Sequence, residues 1–142
     1  MNGEGTQRRL VFHGAIILLV GGLCGFPERR AVSGGAPESV VHAWRVAHDA
    51  LVAGGIMLIA IAAALSHVRL GARGRAWLEW SLVAVAYGAV VGLGLPPFTG
   101  QRGLEPTGPP INFVAFIGNA AVGAGTLVAL SVLIWGARPG RR

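Results

Sequence analysis

A tryptophan and a histidine lie four residues apart where the second long apolar stretch begins. In Trp44-Arg-Val-Ala-His48 this spacing puts the indole and the imidazole on one side of a helix, close to a membrane surface. Neutral imidazole is a common metal ligand and the usual proximal ligand of haem iron. Gly54-Gly55, a turn and a half deeper, would let a flat macrocycle such as haem approach the backbone. Arg45 could pair with the propionates of that macrocycle. His48 is therefore the first candidate for a metal ligand.

His48 and Gly54-Gly55 also have an interpretation without a metal. An interfacial histidine hydrogen-bonded to Asp49 or to a loop carbonyl has this pattern, and Gly54-Gly55 could equally accept a neighbouring helix. His13, in the first apolar stretch, is expected at the opposite membrane face from His48. One iron held by both histidines of a single chain is therefore disfavoured.

Further polar side chains fall inside the apolar stretches, where they are costly and are the default functional candidates. Three of them recur every seven residues and form a stripe on one face of the last helix: Asn112, Asn119 and Thr126. The stripe could hydrogen-bond neighbouring helices or line a pocket. Tyr87, in the third stretch, belongs to the same group of candidates.

Several chemistries are poorly supported. No two histidines have zinc-ligand spacing with a carboxylate, and no glycine-rich phosphate loop follows a strand. Cys24 is the single cysteine, so an intrachain disulfide cannot form. No serine has a plausible general base on the same side of the membrane. Hydrolase and nucleotide-binding functions are therefore weak hypotheses.

The composition indicates that the main solvent of this chain is lipid. Of 142 residues, 53% are hydrophobic and 13% are charged, against about 25% charged in soluble domains. The 23 glycines favour close contact between membrane helices, as in Gly21-x-x-x-Gly25 and Gly88-x-x-x-Gly92. We therefore predict an all-α integral membrane protein, a four-helix bundle forming one domain over residues 1–142.

Apolar length and breaker residues place four spans and their connections. The spans are expected at about 10–26, 47–68, 77–95 and 111–135. Pro27 to Val40 is predicted to be a loop, with Glu38 or Ser39 capping the next helix, and Arg69 to Arg75 a tight turn. A longer proline-rich loop is expected from Pro96 to Pro110.

All twelve basic residues are arginines, and the formal net charge is +6. Eight of them fall on the side of the two termini and the 69–75 turn, and four fall on the other side. The positive-inside rule then puts both termini in the cytoplasm, in a bacterial inner membrane. These arginines are interpreted as topology and headgroup anchors, and nucleic-acid binding is not expected.

In order and approximate spacing, several clusters resemble the styrene oxide isomerase family. They are His13-Gly14 in the first span, Trp44-x-x-Ala-His48 opening the second, Gly55 after it, and Gln101-Arg-Gly-Leu104 before the fourth. The resemblance extends from about residue 8 to residue 118. It implies a trimer of four-helix subunits that binds haem b, with His48 as the axial ligand. It also implies ferric haem acting as a Lewis acid that rearranges a small hydrophobic epoxide to an aldehyde through a 1,2-hydride shift.

The chain departs from the family at three polar positions. An ungapped extension puts Gly54, Val85 and Leu93 where the family has an asparagine, an aspartate and a tyrosine. Tyr87 and Asn112 are predicted to replace them as catalytic residues that orient the oxygen. Beside the epoxide isomerase, two other hypotheses stay open: a haem-binding redox or sensor protein, and a membrane subunit without catalysis.

Overall fold

The computed structural model describes residues 3–139 and is all-α within them. Five α-helices follow one another, with a 3-10 turn, Leu65–His67, after the second: α1 Gly3–Ser33, α2 Glu38–Ala64, α3 Ala72–Gly94, α4 Pro96–Thr99 and α5 Pro110–Gly136. Four helical segments, of 27 to 30 residues, are long and apolar enough to cross a membrane. The prediction of an all-α protein with four spans is confirmed. Arg141 and Arg142, counted in the charge balance above, lie outside the described residues.

The first helix continues past its proline. α1 runs through Pro27 to Ser33, so the loop predicted from this proline is shorter, 34–37. Proline removes one helical hydrogen bond but is tolerated in membrane helices. The chain then turns at Gly35, whose φ is +67°, a conformation that favours glycine. The predicted cap by Glu38 or Ser39 was wrong, because α2 starts directly after Pro37 without a side-chain cap.

The connection between the second and third spans is also shorter than predicted. The 3-10 turn extends the second span to His67, and α3 already begins at Ala72. The turn that was expected over Arg69 to Arg75 is thus half helical. Arg69 N donates to Gly136 O at 2.9 Å, which ties this turn to the end of α5.

Glycines allow two helix pairs to pack backbone to backbone, α1 on α2 and α3 on α5. A Cβ added at Gly55 would lie 2.7 Å from Leu18 N and 2.8 Å from Gly14 O. A Cβ at Gly118 would lie 2.6 Å from Gly92 N. No side chain fits at these crossings, so the pairs form because the positions are glycine.

Two apolar clusters join the helix pairs, and two ion pairs fasten α1. The clusters are Leu10, Ala62, Leu65, Leu78, Leu82 and Ala129, and Ile17, Leu51, Leu58 and Ala86. Arg9 of α1 pairs with the buried Glu79 of α3 through two hydrogen bonds. Towards the other end of α1, Glu28 pairs with Arg45 of α2 at 3.3 Å. α1 is therefore fixed to a different neighbour near each end.

Two asparagines of α5 hold the proline-rich loop. Asn112 Oδ1 accepts from Gly103 N at 2.9 Å, and its Nδ2 donates to the carbonyls of Glu105 and Thr107 at 2.8 and 2.6 Å. Asn119 Nδ2 donates to Arg102 O at 2.9 Å. This part of the polar stripe thus binds loop backbone and not a neighbouring span.

Candidate functional site

His48 contacts the backbone of α1 through one ring nitrogen. Its Nδ1 lies 2.8 Å from Gly21 O. A carbonyl oxygen can only accept, so Nδ1 carries the proton and Nε2 keeps its lone pair. Metal-ligating histidines typically have this arrangement, in which the second nitrogen donates to a carbonyl and fixes the tautomer.

The free nitrogen of His48 is accessible. Nε2 forms no hydrogen bond within residues 3–139, where Thr6 Oγ1 is the one buried side-chain oxygen or nitrogen without a partner. Nε2 therefore reaches the molecular surface. The partner of His48 is thus neither Asp49 nor a loop carbonyl, as the structural alternative had it, but a carbonyl of α1.

Two glycines of α1 make room for this imidazole. A Cβ at Gly25 would lie 3.3 Å from His48 Nδ1 and Cε1, and one at Gly21 would lie 2.7 Å from Val52 N. These residues were not predicted as part of the site. Their spacing, Gly21-x-x-x-Gly25, was visible in the sequence but indicates close helix packing in general and not the residue that it faces.

Gly54 and Gly55, which were predicted to let a flat group approach the backbone, lie in two different environments. Gly55 is buried against Gly14 and Leu18 of α1. A Cβ at Gly54, in contrast, would meet no atom within 4 Å. Only Gly54 thus presents open surface to a flat group, while Gly55 makes a helix contact.

The other predicted neighbours of His48 lie one turn before it. The Trp44 ring meets the Phe98 ring edge to face, with centroids 4.8 Å apart and planes at 82°. Arg45 is exposed apart from its ion pair with Glu28. A guanidinium is thus held on the α1 side of α2, where it could pair with an anionic group of a cofactor.

An apolar cavity of about 580 Å³ adjoins this segment of α2. Trp44 and Leu51, which precede and follow His48 by about one turn, form its α2 wall. The remaining walls come from α1, α3, α4 and α5: Val20, Leu23, Cys24, Pro27, Val90, Val91, Gly94, Leu95, Phe98, Ile111 and Val114. No charged residue lines it, so the cavity suits a neutral hydrophobic ligand.

Tyr87 has a different partner. Its hydroxyl lies 3.0 Å from His13 Nδ1, with the two rings edge to face. Gly21 and Gly25, which contact His48, follow His13 by 8 and 12 residues on α1, or about 12 and 18 Å along the helix axis. Within one chain the structure therefore does not bring Tyr87 to His48, and the three hydrogen bonds of Asn112 already engage its amide with the loop.

The protein donor set decides which kind of metal centre fits. Among residues 3–139 no group of three His, Cys, Asp or Glu side chains could hold a bare metal ion. A metal bound to His48 would then take its other ligands from outside this part of the chain, as iron in a porphyrin does. The free Nε2 and the nearby guanidinium fit such a group, whereas Gly54, six residues after His48, lies about 120° away from it around α2.

These features define a small membrane protein of four spans, in which one histidine has a free ring nitrogen and its α2 neighbours Trp44 and Leu51 line an apolar cavity. The chain belongs to the styrene oxide isomerase family, because the family model of that description matches residues 6–138, nearly the whole chain. The resemblance drawn from the sequence is confirmed. No curated protein matches the chain. Family membership supports an isomerase-like function.

Proposed function

We propose that this protein is a haem b-dependent membrane isomerase that converts a small hydrophobic epoxide to an aldehyde. The observation that carries the proposal is the imidazole of His48, whose Nδ1–H is bonded to Gly21 O while Nε2 stays free. Family membership supplies the reaction class. When bound, the haem would supply a Lewis acid.

The chain's own residues would bind and orient the cofactor. His48 Nε2 is the proposed axial ligand, and the Gly21 carbonyl keeps the imidazole in the ligating tautomer. The guanidinium of Arg45 would meet a propionate, and Trp44 would pack beside the cofactor. Gly55, buried on α1, would hold α2 in register for this contact.

The apolar cavity suits the proposed reaction. Epoxide to aldehyde is an isomerisation, so all atoms are retained and no oxidant, reductant or water is consumed. Positive charge develops on carbon as the C–O bond opens, and water near that carbon would give a diol instead. A cavity without charged walls would disfavour water at the reacting carbon.

We also propose that the protein is a homotrimer in a bacterial inner membrane. The trimer rests on family membership, and the membrane on the four apolar spans. Native mass spectrometry in detergent would measure the number of subunits and of haems in each particle.

Replacement of His48 tests the proposal. We expect purified protein to show a Soret band and to isomerise styrene oxide, and His48→Ala to lower haem occupancy by about tenfold or more because the axial ligand is gone. His42→Ala is the matched control, since His42 is an exposed histidine on the same helix. Wild-type protein without a Soret band, or His48→Ala protein with full haem content, would refute the assignment.

A specific observation favours a second candidate, a haem-binding redox or sensor protein. Gly54, Val85 and Leu93 offer no side-chain hydrogen bond where the family has polar residues, and Asn112 is engaged by the loop. The catalytic roles of Tyr87 and Asn112 stay predictions. Haem-loaded protein that leaves styrene oxide unchanged would favour the second candidate over the isomerase.

A further inference from the structure

The apolar cavity has walls from both α1 and α5. α1 and α5 do not pack along each other in the part of the chain that the structure describes. Three rim residues on α1, α4 and α5 are strongly exposed, namely Leu23 (55%), Phe98 (74%) and Val114 (45%). Because these exposed rim residues are apolar, a molecule dissolved in lipid could enter between α1 and α5 without crossing water.

The walls determine which ligand fits. Trp44 and Cys24 carry the only side-chain hydrogen-bond donors among the lining residues. A ligand with several polar groups would lose its hydrogen bonds to water without replacement, at a cost of about 1–3 kcal/mol for each group. The volume of about 580 Å³ falls within the usual range for small-ligand sites. A neutral, mainly apolar molecule with one or two acceptor atoms therefore fits best.

We propose that this cleft between α1 and α5 is the binding site for the hydrophobic substrate, which enters sideways from the bilayer. The identity of the substrate as an epoxide rests on the proposed function, whereas the site itself rests on the cavity. The cleft shares its α2 wall, Trp44 and Leu51, with the segment that carries His48. His48 itself is not among the lining residues, so binding there would hold the substrate next to the α2 segment that carries it and away from water.

A glycine in the wall provides a substitution that fills the cleft. Gly94 lines the cavity, and a Cβ added there would meet no atom within 4 Å. Gly94→Leu would thus place four carbons in open space without a backbone clash. Gly123→Leu is the matched control, because Gly123 is an exposed glycine of α5 that is equally open and lies outside the cleft.

Kinetics give the first measurement. We expect Gly94→Leu to raise KM for styrene oxide by about tenfold or more, since single methylene groups change recognition by that factor in apolar sites. Its Soret absorbance should equal that of the wild type, and Gly123→Leu should match the wild type in KM. An unchanged KM in Gly94→Leu protein with full haem content overturns the proposal.

Thiol protection tests the same cleft without the reaction. Cys24, the single cysteine, lines the cavity, so its alkylation by N-ethylmaleimide can be followed by mass spectrometry of the intact chain. Ethylbenzene at about ten times its Kd should slow alkylation about tenfold in the wild type. In Gly94→Leu protein it should have no such effect. As a reporter outside the cleft, the thiol of a Cys24→Ser, Ser33→Cys variant should react at the same rate with and without ethylbenzene.

The outcomes separate the two proposals. Protection of Cys24 in protein without haem or turnover would leave the cleft standing and remove the isomerase. Turnover of styrene oxide in protein whose Cys24 is not protected by ethylbenzene would support the isomerase and remove the cleft as its substrate site. Protection that hexadecane gives and ethylbenzene does not would assign the cleft to a lipid acyl chain. Protection that disappears on dissociation to monomers, with no effect of ethylbenzene, would assign it to a second copy of the chain, and both results overturn the proposal.

Discussion

At His48, one hydrogen bond links helix packing to the tautomer of the imidazole. The carbonyl that accepts from Nδ1 belongs to Gly21, which is also a close contact between α1 and α2. Any shift of α1 against α2 therefore moves the group that sets the tautomer of the imidazole. The site depends on glycine at positions where the sequence alone suggests only helix packing.

We expect Gly21→Ala to disturb His48, whereas Gly22→Ala should not. A Cβ at Gly21 would lie 2.7 Å from the backbone nitrogen of Val52, so α1 must move, whereas one at Gly22 would meet nothing within 4 Å. Overpacking of this kind costs about 1–3 kcal/mol. When α1 moves, the carbonyl of residue 21 moves away from His48 Nδ1. Loss of this hydrogen bond should lower haem affinity by about 10- to 100-fold.

Haem titration monitored at the Soret band, together with thermal unfolding in the same detergent, measures both effects. If Gly21→Ala and Gly22→Ala bind haem equally well, the Gly21 contact does not orient the ligand.

Part of this site could be predicted from single residues, and part depends on pairing. His48, Trp44 and Arg45 are recognisable because their types and spacing have a chemical meaning on one helix. The hydroxyl of Tyr87 meets His13, 74 positions away in the chain, and nothing in either residue's neighbourhood specifies that contact. Hydrogen bonds between spans depend on how the helices pair and on their depth in the membrane.

Among the elements, the loop after α4 illustrates how a stripe of asparagines can be misinterpreted. Asn112 and Asn119 lie on one face of α5, as their spacing predicts, but they bind backbone carbonyls of residues 102–107. The loop contains the 101–104 segment on which the family resemblance partly depends. A periodic pattern fixes which face a side chain occupies but not whether a helix or a loop covers that face.

Asn112→Ala should therefore release the loop. The substitution leaves the N–H of the buried Gly103 without a partner, at a cost of about 1–3 kcal/mol, and releases the carbonyls of the exposed residues Glu105 and Thr107. We expect a lower unfolding temperature and faster cleavage by proteases within residues 100–109. Asn112→Asp is the control that keeps one hydrogen bond and removes the other two. Its carboxylate can still accept from Gly103 N but cannot donate to the carbonyls of Glu105 and Thr107.

The same variants test the catalytic role predicted for Asn112. Turnover is compared per bound haem, so that loss of cofactor is not counted as loss of catalysis. A purely structural residue leaves this value near that of the wild type. A large drop in turnover per haem with normal haem affinity would instead show that Asn112 acts on the substrate.

At the scale of the whole molecule, hydropathy was sufficient to find the four spans but not their ends. The apolar run of the first span stops near Phe26, yet α1 continues to Ser33, because the exposed turns around Arg29 and Arg30 stay helical outside the apolar region. Apolar length reports the thickness of hydrocarbon crossed, whereas helix length also includes the interfacial turns. The helical turns on either side of residues 34–37 therefore extend beyond the apolar runs.

The orientation of the bundle follows from which of the connections flanking α2 carries the arginines. Ser33 and Ser66 lie beyond opposite ends of α2, whose 27 residues span about 40 Å, enough to cross a bilayer. Three arginines, Arg69, Arg73 and Arg75, follow Ser66 closely, so the positive-inside rule predicts that Ser66 is cytoplasmic and Ser33 external. In a Cys24→Ser background, a membrane-impermeant maleimide should label Ser33→Cys in intact bacterial cells, and Ser66→Cys only after lysis. The reverse pattern would place His48 in the cytoplasmic half of the membrane and would require haem to reach it from that side.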